Sequence, residues 1–176
     1  IGVFAIMVTT LLVSETYIIK IEQLYYSIII VVMFMSAGNI FNDIQDIKID
    51  KIVHPNRQIP KNNISIKAAY LLIIFLLSIG LCASLYINIQ SQIFLYFILV
   101  PLLFGYSLLL KKIPLVNNII ISGLLAGVVL FTSSILTKQF ILFYEVALLI
   151  FSLSMIREML KDIEDYEGDK KYHINT

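Results

Sequence analysis

The chain has 176 residues, of which 59% are hydrophobic and 14% charged, and its mean hydropathy is +0.91. These values lie outside the range of soluble globular domains, so the composition excludes a soluble enzyme and predicts an integral membrane protein. The net charge of +1 conceals a segregation of acidic and basic residues along the chain. Because Cys82 is the single cysteine, an intrachain disulfide and a cysteine metal cluster are both excluded.

Six apolar segments follow one another along the chain, and most approach the roughly 20 residues that a helix needs to cross a bilayer. The fold class that they predict is all-α, a polytopic transmembrane helix bundle. The first segment is shorter than a full span and has no basic stretch before it, so it does not match a signal peptide. We expect residues 1–176 to form one transmembrane domain that is incomplete at the N-terminus and at the C-terminus. The predicted helices cover residues 1–14, 24–41, 66–87, 92–110, 115–137 and 140–157.

The basic residues indicate how this bundle is oriented in the membrane. Eleven of the thirteen fall in the polar stretches after the second, fourth and sixth segments, and two, Lys20 and Lys138, fall on the other side. Cytoplasmic loops are enriched in Lys and Arg, so these three stretches are predicted to face the cytoplasm. The protein is then a multi-pass cell-membrane protein with its polar stretches on one membrane face.

Two features inside the predicted spans concern packing. Gly123 and Gly127 form a G-x-x-x-G pattern, which lets two membrane helices approach closely, and contact within this chain is favoured over a dimer contact. Pro101 lies inside the fourth span, where membrane helices tolerate proline, so only a kink is expected there.

Nine of the twelve acidic residues are concentrated in two clusters. An acidic residue deep in the bilayer costs roughly 2.5 to 3.5 kcal/mol on insertion scales, so both clusters are expected at the interface or in a polar cavity. The first contains Asp43, Asp46 and Asp50. The second contains Glu158, Asp162, Glu164, Asp165, Glu167 and Asp169.

The spacing within each cluster places oxygen ligands along one helical face. Asn42, Asp46 and Asp50 are four residues apart, and Asp162, Asp165 and Asp169 are three and four apart. Carboxylate and amide oxygens suit Mg²⁺, which takes one or two carboxylates together with phosphate oxygens, so the two faces predict a metal-bridged diphosphate site. The alternative is a solvated acidic face or helix capping, as could hold for Glu164 and Glu167.

These two clusters carry a family resemblance. The stretch from Asn42 to Asp50, continued by His54 to Pro60, resembles the first signature of the UbiA-type intramembrane prenyltransferases, and Lys161 to Asp169 resembles their second. Tyr106-Ser107 with Lys111 and Asn117-Asn118 is similar to the segment after the family's fourth helix. The resemblance implies a fold of about nine helices around a central cavity, of which this chain would hold about six.

The resemblance also implies roles for individual residues. Asp46, Asp50, Asp165 and Asp169 would be catalytic, with Mg²⁺ as the cofactor. The implied metal ligands are Asn42, Asp43, Asp46, Asp50, Asp162, Asp165 and Asp169. The implied diphosphate-binding residues are Arg57, Tyr106, Lys111, Asn118, Arg157 and Lys161.

Within the family, Asn39 and the pair Arg157-Glu158 are most similar to archaeal ether-lipid enzymes. The implied reaction is Mg-dependent transfer of a geranylgeranyl group from its diphosphate to the free hydroxyl of geranylgeranylglyceryl phosphate. The implied partners are a prenyl diphosphate, a lipid-soluble acceptor and membrane lipids, without nucleic acid. One alternative is an aromatic prenyltransferase of quinone biosynthesis. Another is a cation transporter, which would place its charges near the bilayer midplane rather than at one edge.

Overall fold

The computed structural model describes residues 2–15, 17–53, 55–110, 114–139 and 143–172, and the description is of the backbone alone at 53, 109–110, 114 and 164–172. Every regular element in these ranges is helical. Helix α1 spans Gly2–Ser14, α2 spans Ile21–Gln45, and a short α3 spans Ile47–Val53. The all-α prediction is confirmed.

Helix α4 spans Ile66–Ser84 and begins where Ser65 accepts a hydrogen bond from the backbone N–H of Ala68 at 3.2 Å. Asn88 caps the next helix in the same way, accepting from the N–H of Ser91 at 2.9 Å. Short polar side chains at these positions satisfy N–H groups that a helix start leaves without partners. The sequence therefore sets both starts locally.

The helix that starts after Asn88 is segmented. Its α-helical parts are α5 (Ile89–Phe94) and α6 (Val100–Gly105), and π-helical turns follow each of them at Leu95–Leu99 and Tyr106–Leu110. Pro101 lies in the first turn of α6, directly after the first π-helical turn. Proline lacks an N–H and crowds the preceding turn, and a local π adjustment relieves this, so the predicted irregularity is a change of helix type.

The last two helices, α7 (Pro114–Thr137) and α8 (Tyr144–Tyr172), form an antiparallel hairpin. Four helices in the described ranges are long and apolar enough to cross a membrane: Ile21–Gln45, Ile66–Ser84, Ile89–Leu108 and Leu115–Thr137. They correspond to the second through fifth predicted spans. The first predicted span lies on the shorter α1, and the sixth lies on α8, which carries charges from Arg157 onward.

The core lies where α1, α2, the segmented helix and α7 meet. Ile6, Ile30, Phe131 and Ile135 are fully buried there. Small residues permit the close approaches: a Cβ added at Gly127 would lie 2.6 Å from Cδ2 of Leu99, whereas one added at Gly123 would meet nothing within 4 Å. Of the predicted glycine pair, Gly127 is thus the packing position.

Candidate active site

The first acidic cluster lies where α2 passes into α3. The backbone N–H of Asp46 donates to the carbonyl of Asn42 at 3.0 Å, and that of Asp50 donates to the carbonyl of Asp46 at 2.8 Å. The i to i+4 bonding therefore continues through the break at Asp46. It brings the side chains of Asn42 and Asp46 together, with the amide Nδ2 donating to the carboxylate Oδ2 at 3.1 Å.

The second π-helical turn brings a neighbouring helix to this cluster. Ser107 is buried and its hydroxyl donates to Oδ1 of Asn42 at 3.3 Å. The adjacent Tyr106 lines a cavity between the helices. The wider π turn therefore directs two consecutive side chains inward, which fits the frequent occurrence of such turns at functional sites.

Asp50, the last acid of this row, pairs with an arginine. Arg57, from the loop after α3, donates from Nη1 to Oδ2 of Asp50 at 2.8 Å and also contacts Oδ1 of Asp43 at 3.4 Å. Asp43 and Asp50 are seven residues apart and share a face. Arg57 thus contacts two acids of the cluster, while the amide of Asn42 donates to a third, Asp46.

The second acidic cluster is tied to α7 through an asparagine. Asn118 is 2% exposed and its Nδ2 donates to Oδ2 of Asp162 on α8 at 2.6 Å. One turn earlier on α8, the buried Glu158 accepts from the guanidinium of the neighbouring Arg157. A buried carboxylate needs such a partner, so this pair is part of the local structure of the site.

A cavity of about 420 Å³ lies beside Glu158 of the second cluster and beside Tyr106, whose neighbour Ser107 contacts Asn42. Its body is apolar, with Phe34, Leu99, Val128 and Phe131 among the lining residues. Its polar lining residues come from three helices: Asn39, Tyr106, Arg157, Glu158 and Lys161. An apolar chamber with a few convergent polar groups is the usual form of a ligand site.

The predicted site residues are placed as follows. Tyr106, Arg157 and Lys161 line the cavity, Asn118 contacts Asp162, and Arg57 pairs with Asp43 and Asp50. Lys111 lies outside the described residues, and the side chains of Asp165 and Asp169 lie outside the described side chains. Within the described part of the chain, no three His, Cys, Asp or Glu side chains converge as a metal-binding group.

Two further residues of the site, Ser107 and Glu158, received no individual role from the sequence. Glu158 precedes Asp162 by one helical turn, so its position on the same face was a usable signal. Ser107 belongs to the Tyr106-Ser107 pair of the family resemblance, but its contact with Asn42 depends on the packing of two helices. Both now belong to the candidate site by contact or by lining.

The chain belongs to the UbiA prenyltransferase family, whose model matches residues 2–176. Three curated relatives with similar degrees of sequence identity to this chain are digeranylgeranylglyceryl phosphate synthases. That of Pyrococcus horikoshii is 33% identical over 94% of this chain, and that of Saccharolobus solfataricus is 31% identical over 94%. That of Sulfurisphaera tokodaii is 35% identical over 93% of this chain.

The chain spans about 59% of the length of these three relatives. A solved structure from a study of digeranylgeranylglyceryl phosphate synthase in membranes is similar in fold, with a TM-score of 0.76 and 31% identity. The similarity covers 99% of this chain and 62% of that chain. Family membership and the four apolar helices together identify an integral membrane protein.

Proposed function

We propose that the protein transfers a geranylgeranyl group from its diphosphate to the free hydroxyl of geranylgeranylglyceryl phosphate. The observation that carries this proposal is the cavity, which combines an apolar body with the cationic groups of Arg157 and Lys161 beside the second acidic cluster and with Asn39 and Tyr106. A prenyl diphosphate has the same division into apolar chain and charged head. The names of the relatives support the choice of acceptor.

The described residues fit a divalent metal ion in their donor chemistry. Asp46 and Asp162 offer carboxylate oxygens, which are the hard ligands that Mg²⁺ prefers. Mg²⁺ in proteins commonly takes one or two carboxylates together with phosphate oxygens and water, and a diphosphate would supply the phosphate oxygens here. Family enzymes generally use a divalent metal. Asn42, Asp43, Asp50, Asp165 and Asp169 remain proposed members of the metal site.

In the reaction the C–O bond between the allylic carbon and the diphosphate breaks, and both electrons leave with the diphosphate. The acceptor hydroxyl oxygen forms the new C–O bond with the allylic carbon, and its proton passes to the released diphosphate or to water. Bound Mg²⁺ would stabilise the negative charge on the leaving group. Arg157 and Lys161 line the cavity and are proposed to bind the same group by charge-assisted hydrogen bonds, with Tyr106 beside them. Lys111 and Arg57 are proposed diphosphate contacts from the sequence.

The proposed active site faces the cytoplasm. Asn42 contacts Ser107, Asn118 contacts Asp162, and Tyr106, Arg157 and Lys161 line one cavity. The ends of α2, the segmented helix, α7 and α8 therefore lie at one end of the bundle. The basic residues of the sequence are concentrated in the stretches at this end, and the positive-inside rule assigns such stretches to the cytoplasm.

Membranes containing the full-length protein, incubated with labelled geranylgeranyl diphosphate and candidate acceptors, test the proposal directly. We expect ether formation with geranylgeranylglyceryl phosphate, loss of activity with EDTA and recovery with Mg²⁺. Preferential labelling of an aromatic quinone precursor would establish the alternative prenyltransferase. Cation flux across the membrane of proteoliposomes that contain the protein, without prenyl transfer, would instead support a cation transporter.

A further inference from the structure

We propose that Asn118 is a positioning residue for Asp162, which it orients through a neutral hydrogen bond. The inference rests on the proposed function, because it takes Asp162 to be a metal ligand. It replaces the sequence prediction that Asn118 contacts the diphosphate. The two roles differ in what a substitution at Asn118 changes: the affinity for the metal ion or the affinity for the prenyl donor.

The contacts of Asn118 define the orientation of its amide. A carboxylate accepts hydrogen bonds but cannot donate, so the group that lies 2.6 Å from Oδ2 of Asp162 must be the Nδ2 of Asn118. On the other side, Oδ1 of Asn118 accepts from Nδ2 of Asn117 at 3.4 Å. The amide is thus engaged at both ends and is 2% exposed. This leaves it poorly placed to bind a diphosphate and well placed to hold a carboxylate.

The charge of the partner matters for metal binding. An arginine partner, as at Asp50, offsets the negative charge of the carboxylate that it holds. An amide partner fixes the carboxylate in place and leaves its full charge to attract a cation. In the first cluster, the side-chain amide of Asn42 likewise donates to the carboxylate of Asp46, at 3.1 Å. One acid in each cluster is therefore oriented by an asparagine, as hydrogen-bonded ligands commonly are in metal sites.

The chain provides a matched control in Asn88. Its Nδ2 donates at 2.8 Å to the backbone carbonyl of Ser134, so it also joins a neighbouring segment to α7. Ser134 lies sixteen residues along α7 from Asn118, which is about 24 Å at 1.5 Å per residue. Asn88→Ala removes an interhelical amide bond far from the acidic clusters, together with the N-cap of the segmented helix. It therefore sets an upper bound on the purely structural effect of losing such a bond.

The test is Mn²⁺ binding to the purified full-length protein without substrate, followed by electron paramagnetic resonance. We expect Asn118→Ala to weaken binding roughly 10- to 100-fold, the range for losing a group that orients a metal ligand. Asn88→Ala should leave the affinity unchanged. In the Asp162→Asn background, Asn118→Ala should have no further effect, because the two residues act through one carboxylate. Should Asn118→Ala fail to fold, Asn118→Ser supplies the same comparison.

Unchanged Mn²⁺ affinity in the Asn118 variant, with a raised KM for geranylgeranyl diphosphate at saturating Mg²⁺, would overturn the proposal in favour of direct diphosphate contact. Equal losses of Mn²⁺ affinity in the Asn118 and Asn88 variants would indicate general destabilisation and would also overturn the proposal. Failure of the proposed function is separate: it would appear as absent prenyl transfer by the wild-type protein, while the metal-binding comparison remains decisive for Asn118.

Discussion

Nη1 of Arg57 lies 2.8 Å from Oδ2 of Asp50, whose side chain is 6% exposed, while the arginine side chain is 46% exposed. The pair fastens the loop after α3 to the end of the first acidic cluster. Removing one partner of a fully buried pair costs about 3 to 5 kcal/mol, because the remaining charge has no compensation. Arg57 is partly exposed to solvent, which reduces that cost. We therefore expect loss of one partner to lower the free energy of unfolding by on the order of 1 to 3 kcal/mol.

Arg57→Gln should accordingly lower the thermal stability of the detergent-solubilised protein and expose the loop to proteolysis. The double variant Arg57→Gln/Asp50→Asn should recover part of the loss, since it removes the uncompensated charge together with its partner. Strictly additive losses would contradict the pairing. A raised KM for prenyl diphosphate with unchanged stability would instead favour the direct diphosphate contact predicted from the sequence.

Gly38 and Gly123 give opposite predictions for the same substitution. A Cβ at Gly38 would lie 2.7 to 3.0 Å from Cγ, Cδ1 and Cδ2 of Leu103, whereas one at Gly123 meets nothing within 4 Å. Overpacking costs about 1 to 3 kcal/mol, and alanine gains about 1 kcal/mol over glycine within a helix. Gly38→Ala should lower the Tm, and Gly123→Ala should leave it unchanged or raise it. A lower Tm for Gly123→Ala alone would contradict the packing described here.

Val128 lines the apolar body of the cavity and is 6% exposed. Val128→Phe should fill part of that space, so the proposed activity with a geranylgeranyl donor should fall more than that with a shorter geranyl donor. Steady-state kinetics with both donors measure the difference. Equal reductions of activity with the two donors would show that the substitution disturbs the site generally and that the prenyl chain binds elsewhere.

Membrane topology can be measured with single cysteines in a Cys82→Ser background. Cysteines at Asn62 and Lys170 should react with an impermeant thiol reagent from the cytoplasmic side. Asn62 lies in the basic stretch between α3 and α4, and Lys170 lies near the basic end of α8. A cysteine at Gln90, at the start of α5, should react from the other side. Reaction of the first two positions from opposite sides would separate the acidic clusters and exclude a shared diphosphate site.

Much of this architecture could be predicted from local sequence signals. Apolar length located the four spanning helices, and the four-residue spacing brought Asn42 and Asp46 into contact as expected. The pairing of Asp50 with Arg57 could not be predicted, because it depends on where Arg57 lies after seven residues of helix end and loop. The contact of Asn118 with Asp162 depends on the packing of two helices whose contacting residues are 44 positions apart.

The site also depends on the exact number of residues in the segmented helix. A π-helical turn is equivalent to one residue inserted into an α-helix, and each residue of an α-helix advances about 100° around the axis. Deleting a single residue within Leu95–Leu99 would restore regular winding and rotate everything beyond it. Tyr106 and Ser107 would then turn away from the cavity and from Asn42, although no side chain of the site had been replaced. Single-residue insertions and deletions in this helix should therefore be far less tolerated than substitutions.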